Sequence, residues 1–342
     1  MIDPKLIGLA RATDDGAMRE ILASALHDRR PRLSNLRHAV LKHSPGKRCV
    51  IEYWLELDGT GEERLIGKLY REPRGAARFG QLKLVHEHAA ANGDGQPPLG
   101  VPEPLAYIAE LGMVLERAVP GTELSRLGPE ADWPGAVRAV ADNLAILHGL
   151  PIAAEPKSLS DHVRKLCRPS PGELMAARPD LADSVENILQ ALALVDAGGG
   201  GRACLVHGDL GLGQVLLAGS RAYFVDLDGL CRSPAALDIA NFLVSLRMRM
   251  GPSSAELERA FTECYLERRP GESLAELDAY QALAYLRRAA AAFRQGSGPG
   301  AHERGERLLA IGNWVARAAM DAAPDPPAAP PGAREGTPGS GS

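Results

Sequence analysis

The spacing of the hydrophobic residues changes near Pro120-Gly121, and this change constrains the fold more than any other feature of the sequence. Before this point, apolar residues alternate along the segment from Arg48 to Leu57, as they do in a half-buried strand. After it, they recur at steps of three and four, as they do on one face of an amphipathic helix. One such stripe consists of Val137, Val140, Leu144 and Leu147. We therefore predict an α+β protein whose strands come mainly first and whose helices come mainly later.

The first part of the chain is expected to form a small antiparallel sheet with one helix packed against it. Alternation between turn residues predicts strands at Leu36–Lys42, Arg48–Leu57, Arg64–Tyr70, Leu105–Ala109 and Met113–Arg117. The helix covers Ala76–Ala91, and a shorter helix precedes the sheet at residues 16–29. Lys68 lies on the strand that returns from the first hairpin.

The later part of the chain is expected to be mostly helical. Helices are predicted around residues 137–147, 181–195, 235–248 and 308–318. Residues 323–342 are almost wholly Pro, Ala, Gly, Ser, Thr and charged residues, too poor in apolar groups to offset the entropy of ordering, and are predicted to be disordered or vector-derived. We accordingly divide the chain into an N-terminal lobe at 1–117, a helical C-terminal lobe at 118–322 and a tail.

Charge and composition exclude some classes of function. The 342 residues carry a formal net charge of -4, so the chain offers no basic field to hold a nucleic acid. The first residues, MIDPKLIGLARATDD, form neither a signal core nor a transit pattern, and no apolar run is long enough to cross a bilayer. We expect a cytoplasmic protein that binds small ligands. Widely spread cysteines are expected to be reduced core thiols: Cys49, Cys167, Cys204, Cys231 and Cys264.

The residues that carry chemistry lie between positions 203 and 238. A short apolar strand leads into His207-Gly208-Asp209, and a hairpin is predicted to follow. If residue 218 pairs with residue 221 in this hairpin, positions 214 and 225 lie nearly opposite each other. Gln214 and Asp226 then come together beside the aspartate of the first motif.

Two carboxylates, an amide oxygen and a lysine on a strand together suit phosphoryl transfer from ATP. Oxygen ligands hold the Mg²⁺ of the nucleotide, and a carboxylate accepts the proton of the attacking hydroxyl group. We assign Asp209 as the base, and Gln214 and Asp226 as the magnesium ligands. Lys68 is expected to pair with the phosphates, and Glu87, the only acidic residue of the following helix, is expected to fix that lysine.

The run HGDLGLGQVLL, followed by FVDLDG and ALDIANFL, resembles the signatures of aminoglycoside phosphotransferases, choline kinases and other small-molecule kinases of the protein-kinase-like fold. The resemblance covers approximately residues 36–320 and implies a bilobal fold, ATP and Mg²⁺ as cofactors, and a hydroxyl group as acceptor. It implies that Asp209 is the catalytic base and that His207 belongs to the catalytic loop, which we expect it to hold in place. It further implies that adenine binds to a backbone edge made of Glu116, Arg117, Ala118 and Val119.

Two residues depart from the family pattern. Gln214 stands where most members have asparagine, and its additional methylene group is expected to alter the geometry at the metal. The form Leu-Gly-Gln-Val-Leu resembles that of maltokinases and related bacterial sugar or aminosugar kinases. Gly211 stands where the family often has histidine, so a polar side chain near the transferred phosphate is missing.

Three assignments around this motif stay open. Asp228 assists the metal or caps a turn, with the turn favoured. Asp238 is expected to anchor the catalytic loop by hydrogen bonds and to cap its helix. The segment Ser44–Arg48 covers the phosphates or is only a basic turn.

The acceptor is open as well. The helical stretches at 174–195 and 283–314 are expected to form its pocket, and we favour a sugar, an aminosugar or a related metabolite over an antibiotic aminoglycoside. An alternative of another class is a catalytically silent nucleotide-binding module with a regulatory role. A protein kinase is disfavoured, because the run after Asp226 leaves no room for a long activation segment.

Overall fold

The N-terminal half of the chain contains a five-stranded antiparallel sheet with the strand order β1-β2-β3-β5-β4. The structure, a computed structural model, describes residues 1–26, 33–58, 61–71, 73–91, 99–197, 201–294 and 300–322. The predicted tail and the end of the first predicted helix lie outside these ranges. The strands are β1 (Leu33–Ser44), β2 (Arg48–Leu57), β3 (Gly61–Tyr70), β4 (Pro104–Ile108) and β5 (Met113–Arg117).

The sheet has an apolar face and a charged face because side chains alternate along its strands. The apolar face packs against two helices, α1 (Leu9–Ala12) and α2 (Asp15–Ala25). The hydroxyl group of Tyr53 donates a hydrogen bond of 2.7 Å to the main-chain oxygen of Ala12 in this contact. The predicted face of β2 is confirmed, since its buried apolar residues are Cys49, Ile51, Tyr53 and Leu55, and Leu57 is partly buried against the same cluster. The opposite face therefore carries the polar residues of the sheet.

The C-terminal part consists mainly of helices, with short strands around the predicted catalytic run. One three-stranded sheet has the order β6-β8-β9, and β7 pairs with β10. The strands are β6 (Thr122–Glu123), β7 (Ala203–Val206), β8 (Val215–Ala218), β9 (Arg221–Phe224) and β10 (Cys231–Pro234). One further helix, α3 (Arg74–Ala91), lies between β3 and β4 in the chain. The helices of the C-terminal part are α4 (Trp133–Gly149), α5 (Leu159–Leu166), α6 (Pro171–Ala177), α7 (Ala182–Ala197), α8 (Ala236–Met250), α9 (Ser254–Arg268), α10 (Leu277–Arg294) and α11 (Ala301–Asp321). The predicted α+β organisation is confirmed.

Buried apolar residues form two clusters, one around the sheet with α1 and α2, and a larger one in the helical part. Leu82 and Val85 of α3 belong to the larger cluster, although α3 precedes β4 in the chain. The lobe boundary at residue 117 stays a prediction. All five cysteines are buried and form no disulfide. Within the described ranges, no helix is both long enough and apolar enough to cross a membrane.

Helix α5 places a histidine in the interior. The helix begins with a capping box, in which Ser158 and Asp161 bind each other's main-chain N–H groups. His162 follows and is buried, with its Nε2 atom 3.2 Å from Ser233 Oγ. Its Nδ1 atom has no partner among the residues that the structure describes.

His162 is expected to make stability depend on pH. Burial and the neighbouring charge of Lys165 lower the pKa of His162 from 6.5 to about 4. Between these values the unfolded chain holds a proton at this position and the folded chain does not, so stability is full above pH 6.5 and is lost as the pH falls toward 4. We expect a loss of about 3 kcal/mol in the free energy of unfolding over this window.

Urea unfolding at several pH values tests this expectation. The variant His162→Gln should lose this part of the pH dependence, whereas His302→Gln, at an exposed position of α11, should keep it. A His162→Gln variant with the same pH dependence as the unchanged protein would contradict the assignment.

Candidate active site

The predicted catalytic loop follows β7 and requires a glycine at its centre. Gly208 has φ +78°, and a Cβ atom at this position would lie 2.5 Å from the main-chain oxygen of Gly229. Only glycine satisfies both the left-handed backbone and this close approach. The loop therefore turns sharply after His207 and presents Asp209 at the surface, where 43% of its side chain is exposed.

A buried carboxylate anchors this turn from α8. Asp238 accepts hydrogen bonds from the main-chain N–H groups of His207 (2.6 Å) and Gly208 (2.9 Å). It also accepts from Nε2 of His148 at 3.2 Å, and Nδ1 of His148 lies 2.7 Å from the hydroxyl of Tyr265. Burial alone would raise the pKa of Asp238, but the bond and charge of His148 outweigh it and lower that pKa. The predicted anchoring is confirmed, whereas no side chain caps α8.

His207 is a positioning residue rather than a group that reaches the reacting atoms. Its side chain is fully buried, and Nε2 lies 3.0 Å from the main-chain oxygen of Val225. A carbonyl oxygen only accepts, so Nε2 carries the proton. The bond ties the catalytic loop to the end of β9, which supports the expectation that His207 holds this loop in place and does not itself take part in catalysis.

The hairpin β8–β9 has the predicted register. Ala218 pairs with Arg221, and the main-chain N–H of Val225 donates to the oxygen of Gln214 at 2.9 Å. Gln214 and Asp226 consequently line the same cleft. Asp226 has φ +62°, the left-handed conformation that non-glycine residues seldom adopt. Strain of this kind is typical of functional positions, where the surroundings impose it.

The two departures from the family pattern lie against each other. A Cβ atom at Gly211 would lie 3.2 Å from Oε1 of Gln214 and 3.3 Å from Oγ of Ser245, closer than ordinary van der Waals contact. Ser245 also accepts a hydrogen bond from the main-chain N–H of Leu212. The longer amide of Gln214 and the hydroxyl of Ser245 thus border the space that a larger residue at 211 would enter.

An arginine from the sheet crosses the cleft and neutralises the predicted metal ligand. Arg48, the first residue of β2, donates to both oxygens of Asp226 at 2.5 and 3.0 Å and to Asp228 at 2.6 Å. Asp228 also accepts from the hydroxyl of Tyr70 at 2.7 Å. Asp228 therefore uses its side chain across the cleft, and the favoured turn-capping role is wrong. The bonds of Arg48 outweigh burial and lower the pKa of Asp226.

The lysine of the sheet is paired, but not with the predicted partner. Lys68 Nζ lies 2.7 Å from Oε1 of Glu116, a diagonal neighbour on the same sheet face, and both side chains are buried. Burial would lower the pKa of Lys68, but the charges of Glu116 and Asp226 outweigh it and raise that pKa. Glu87 is exposed on α3 and lies 3.7 Å from Lys83. The prediction that Glu87 fixes Lys68 is therefore wrong, because α3 turns this carboxylate to solvent.

A cleft of ≈ 560 Å³ lies between the charged face of the sheet and the hairpin β8–β9. Of the predicted nucleotide-binding residues, the cleft is lined by Lys68, Glu116, Ala118 and Val119. The Ala118 N–H donates to the oxygen of Arg64, whereas the Val119 N–H has no acceptor among the described residues. Arg117 is exposed and donates to Glu103 at 2.7 Å instead of lining the cleft. The side chain of Glu116 is thus a component of the cleft, in addition to its predicted backbone role.

The donor set suits Mg²⁺ that is shared with a nucleotide. In the described part of the chain, no three His, Cys, Asp or Glu side chains are arranged to hold a metal by themselves. Nucleotide-bound Mg²⁺ needs only one or two protein oxygens, because phosphates and water supply the others. The guanidinium of Arg48 already places positive charge at Asp226 and Asp228, which shows that these carboxylates favour a cation.

Comparison with known sequence families decides what kind of protein this is. The sequence model described as the phosphotransferase enzyme family (APH) matches residues 52–263, more than half of the chain. The chain belongs to this family. The matched segment contains Lys68, Asp209, Gln214 and Asp226, and the prediction of a phosphotransferase enzyme is confirmed. A comparison with curated proteins gives no match.

Three solved structures of small-molecule kinases have a fold similar to that of this chain. A thermostable mutant of aminoglycoside phosphotransferase APH(4)-Ia matches with a TM-score of 0.59 and 18% identity, over 88% of this chain and 98% of that one. A variant of that enzyme in ternary complex with AMP-PNP and hygromycin B gives 0.56 and 16%, over 89% and 99%. Choline kinase from Cryptosporidium parvum Iowa II gives 0.58 and 13%, over 92% and 95%. The predicted protein-kinase-like fold is confirmed.

Three site residues have roles that the sequence alone does not predict. Arg48 belongs to a segment expected to cover the phosphates or to be only a basic turn, and its contact with Asp226 depends on tertiary structure. Glu116 was considered for its backbone, yet the strand alternation that faces Lys68 toward the cleft also applies to it. Arg287 of α10 reaches Asp209 and donates to it.

Replacing Asp238 by asparagine is expected to destabilise the protein. Asparagine keeps one acceptor oxygen but points an NH₂ group at main-chain donors, so buried hydrogen bonds are lost. We expect Asp238→Asn to lower the free energy of unfolding by about 3 kcal/mol. Urea unfolding measures this change. Asp142→Asn, which removes a partly exposed bond to Arg268, should cost less than about 1 kcal/mol, and equal effects of the two variants would contradict the anchoring role.

Removing the guanidinium of Arg48 is expected to strengthen metal binding. A cation at Asp226 must displace this group, so Arg48→Gln should raise the affinity for Mg²⁺ measured without nucleotide by on the order of tenfold. Isothermal titration calorimetry measures that affinity. Arg37→Gln, which removes an exposed pair with Glu62, should leave it unchanged. An unchanged affinity in Arg48→Gln would show that arginine and metal do not share these oxygens.

Proposed function

We propose that the chain is an ATP- and Mg²⁺-dependent kinase that transfers the terminal phosphoryl group of ATP to a hydroxyl group of a small molecule. The observation that carries the proposal is the position of Lys68 and Asp226 in one cleft, with Asp209 on the loop that Asp238 fixes beside it. The ternary complex of a structural neighbour with AMP-PNP and hygromycin B supports ATP as donor and a small molecule as acceptor.

The residues of the cleft have distinct tasks in binding the nucleotide. Lys68 stays protonated beside Glu116 and is placed to bind phosphate oxygens. Asp226 and Gln214 would hold Mg²⁺, which supplies charge neutralisation for the phosphates. The N–H of Val119 is available to the edge of adenine, as in the backbone edge predicted from the sequence.

Asp209 orients the acceptor and takes its proton. Its carboxylate accepts the hydrogen bond of the hydroxyl group, and the proton moves to Asp209 as the oxygen–phosphorus bond forms and the bond to the leaving ADP oxygen breaks. Asp238 and His207 act through the loop, by keeping that carboxylate at a fixed distance from the cleft.

The acceptor class that we propose is a hydroxylated metabolite such as a sugar or an aminosugar, and an aminoglycoside antibiotic is the alternative within the same chemistry. We further propose a cytoplasmic enzyme with two lobes that meet at residues 117–118. A silent nucleotide-binding module is the alternative of another class. The carboxylates Asp209 and Asp226 together with Lys68 favour an enzyme.

A coupled ADP-release assay against sugars, aminosugars, aminoglycosides and amino alcohols tests the proposal. Asp209→Asn should lower turnover by about 10³-fold while ATP binding persists, and Lys68→Ala should weaken ATP binding. Lys83→Ala, an exposed change on α3, should alter neither quantity. ATP binding without turnover on any acceptor would favour the silent module, and absence of ATP binding would overturn both functions.

A further inference from the structure

The surroundings of Asp209 are rich in positive charge, in contrast to the net charge of the chain. Arg287 of α10 donates through Nη2 to Oδ1 of Asp209 and through Nη1 to Oδ1 of Asn241, the latter at 3.3 Å. Its side chain is only 22% exposed. The proposed catalytic base is thus covered by a guanidinium group at the place where an acceptor hydroxyl must bind.

The next residue of α10, Arg288, adds a cation that forms no ion pair with any carboxylate in the described part of the chain. Arg288 donates only to main-chain oxygens, those of Asn241 at 2.9 Å and Ala284 at 3.0 Å, and it forms no ion pair with the residues that the structure describes. Burial and the charge of Arg287 lower the pKa of Arg288 to about 10. The charge of Asp209 acts in the opposite sense. A half-buried guanidinium bound only to carbonyl groups is nevertheless costly, and a bound anion would offset this cost.

Helix α5 contributes a further cation, Lys165, whose charge interacts with that of Asp209. Desolvation and the charges of Lys157 and Arg78 lower the pKa of Lys165, and Asp209 acts on it in the opposite sense. The guanidinium groups of Arg168 and Arg287 both act on the thiol of Cys167. Asp209 thus contacts Arg287 of α10 and interacts electrostatically with Lys165 of α5.

We propose that the acceptor carries an anionic group, a carboxylate or a phosphate, near the hydroxyl that is phosphorylated, and that Arg287 and Arg288 bind this group. The inference rests on the proposed function and narrows its acceptor class. It distinguishes this chain from enzymes whose acceptors are neutral or cationic.

An exchange of partners explains why an anion suits the site. A hydroxyl that takes the place of Arg287 at Oδ1 of Asp209 leaves a half-buried guanidinium without its carboxylate partner. An anionic group on the same acceptor replaces that partner and also binds Arg288. A neutral acceptor leaves both arginines unpaired, and an ammonium group adds repulsion, so the site discriminates against both.

Matched acceptors test the inference. Galactose, galacturonate, galactose 1-phosphate and galactosamine form one set, and glycerol, glycerate, glycerol 3-phosphate and serinol form another. Binding is measured by calorimetry in the presence of ADP and Mg²⁺, and turnover by ADP release. We expect at least one anionic member to bind about tenfold or more tightly than its neutral and cationic counterparts, and the carboxylate and phosphate members show which anion fits.

Variants on one helix link this preference to α10. Arg288→Gln should weaken binding of the preferred anionic acceptor by about tenfold or more and leave the neutral counterpart unchanged. Arg294→Gln, at an exposed position of α10, should affect neither. Three outcomes would overturn the inference. Neutral or cationic members could bind as tightly as the anionic ones, no anionic member could bind, or the affinity could be unchanged in Arg288→Gln. Binding of an anionic member without ADP release with any acceptor would instead count against the proposed function.

Discussion

The site depends on one buried carboxylate, that of Asp238. Three donors from two elements meet at this group: the main-chain N–H groups of His207 and Gly208, and the ring of His148. Because a buried carboxylate is stable only when donors surround it, α8, α4 and the catalytic loop can pack together in one arrangement only. His207 extends this order to β9 and so to Asp226. Buried residues outside the cleft thus fix the positions of Asp209 and Asp226.

The sequence was sufficient to predict the elements whose signals are local. Alternation in β2 and the pairing of residues 218 and 221 gave the sheet face and the hairpin that the structure has. The partner of Lys68 could not be obtained in this way, because a carboxylate on a helix and one on a strand satisfy the same chemical need. Only the orientation of α3, set by its burial of Leu82 and Val85, decides between them. The contact of Arg287 with Asp209 joins residues far apart in the chain, so no local pattern of the sequence predicts it.

Both exposed carboxylates of the site are held by arginines. Arg48 covers Asp226 from the sheet, and Arg287 covers Asp209 from α10. These are ion pairs at moderate exposure, so each is weak enough to be exchanged for a ligand of the same charge. A metal ion at Asp226 and an acceptor hydroxyl at Oδ1 of Asp209 would each take the place of an arginine. Before either ligand arrives, the two arginines neutralise these two carboxylates.

The closeness of Gly211 to Gln214 restricts the side chains that this loop accepts. A side chain introduced at 211 would press on the amide of Gln214 and on Ser245, so both would have to shift by a few tenths of an ångström. Asparagine at 214, with glycine kept at 211, opens space without a clash. A change of side-chain size at one of these two positions therefore alters the space available at the other.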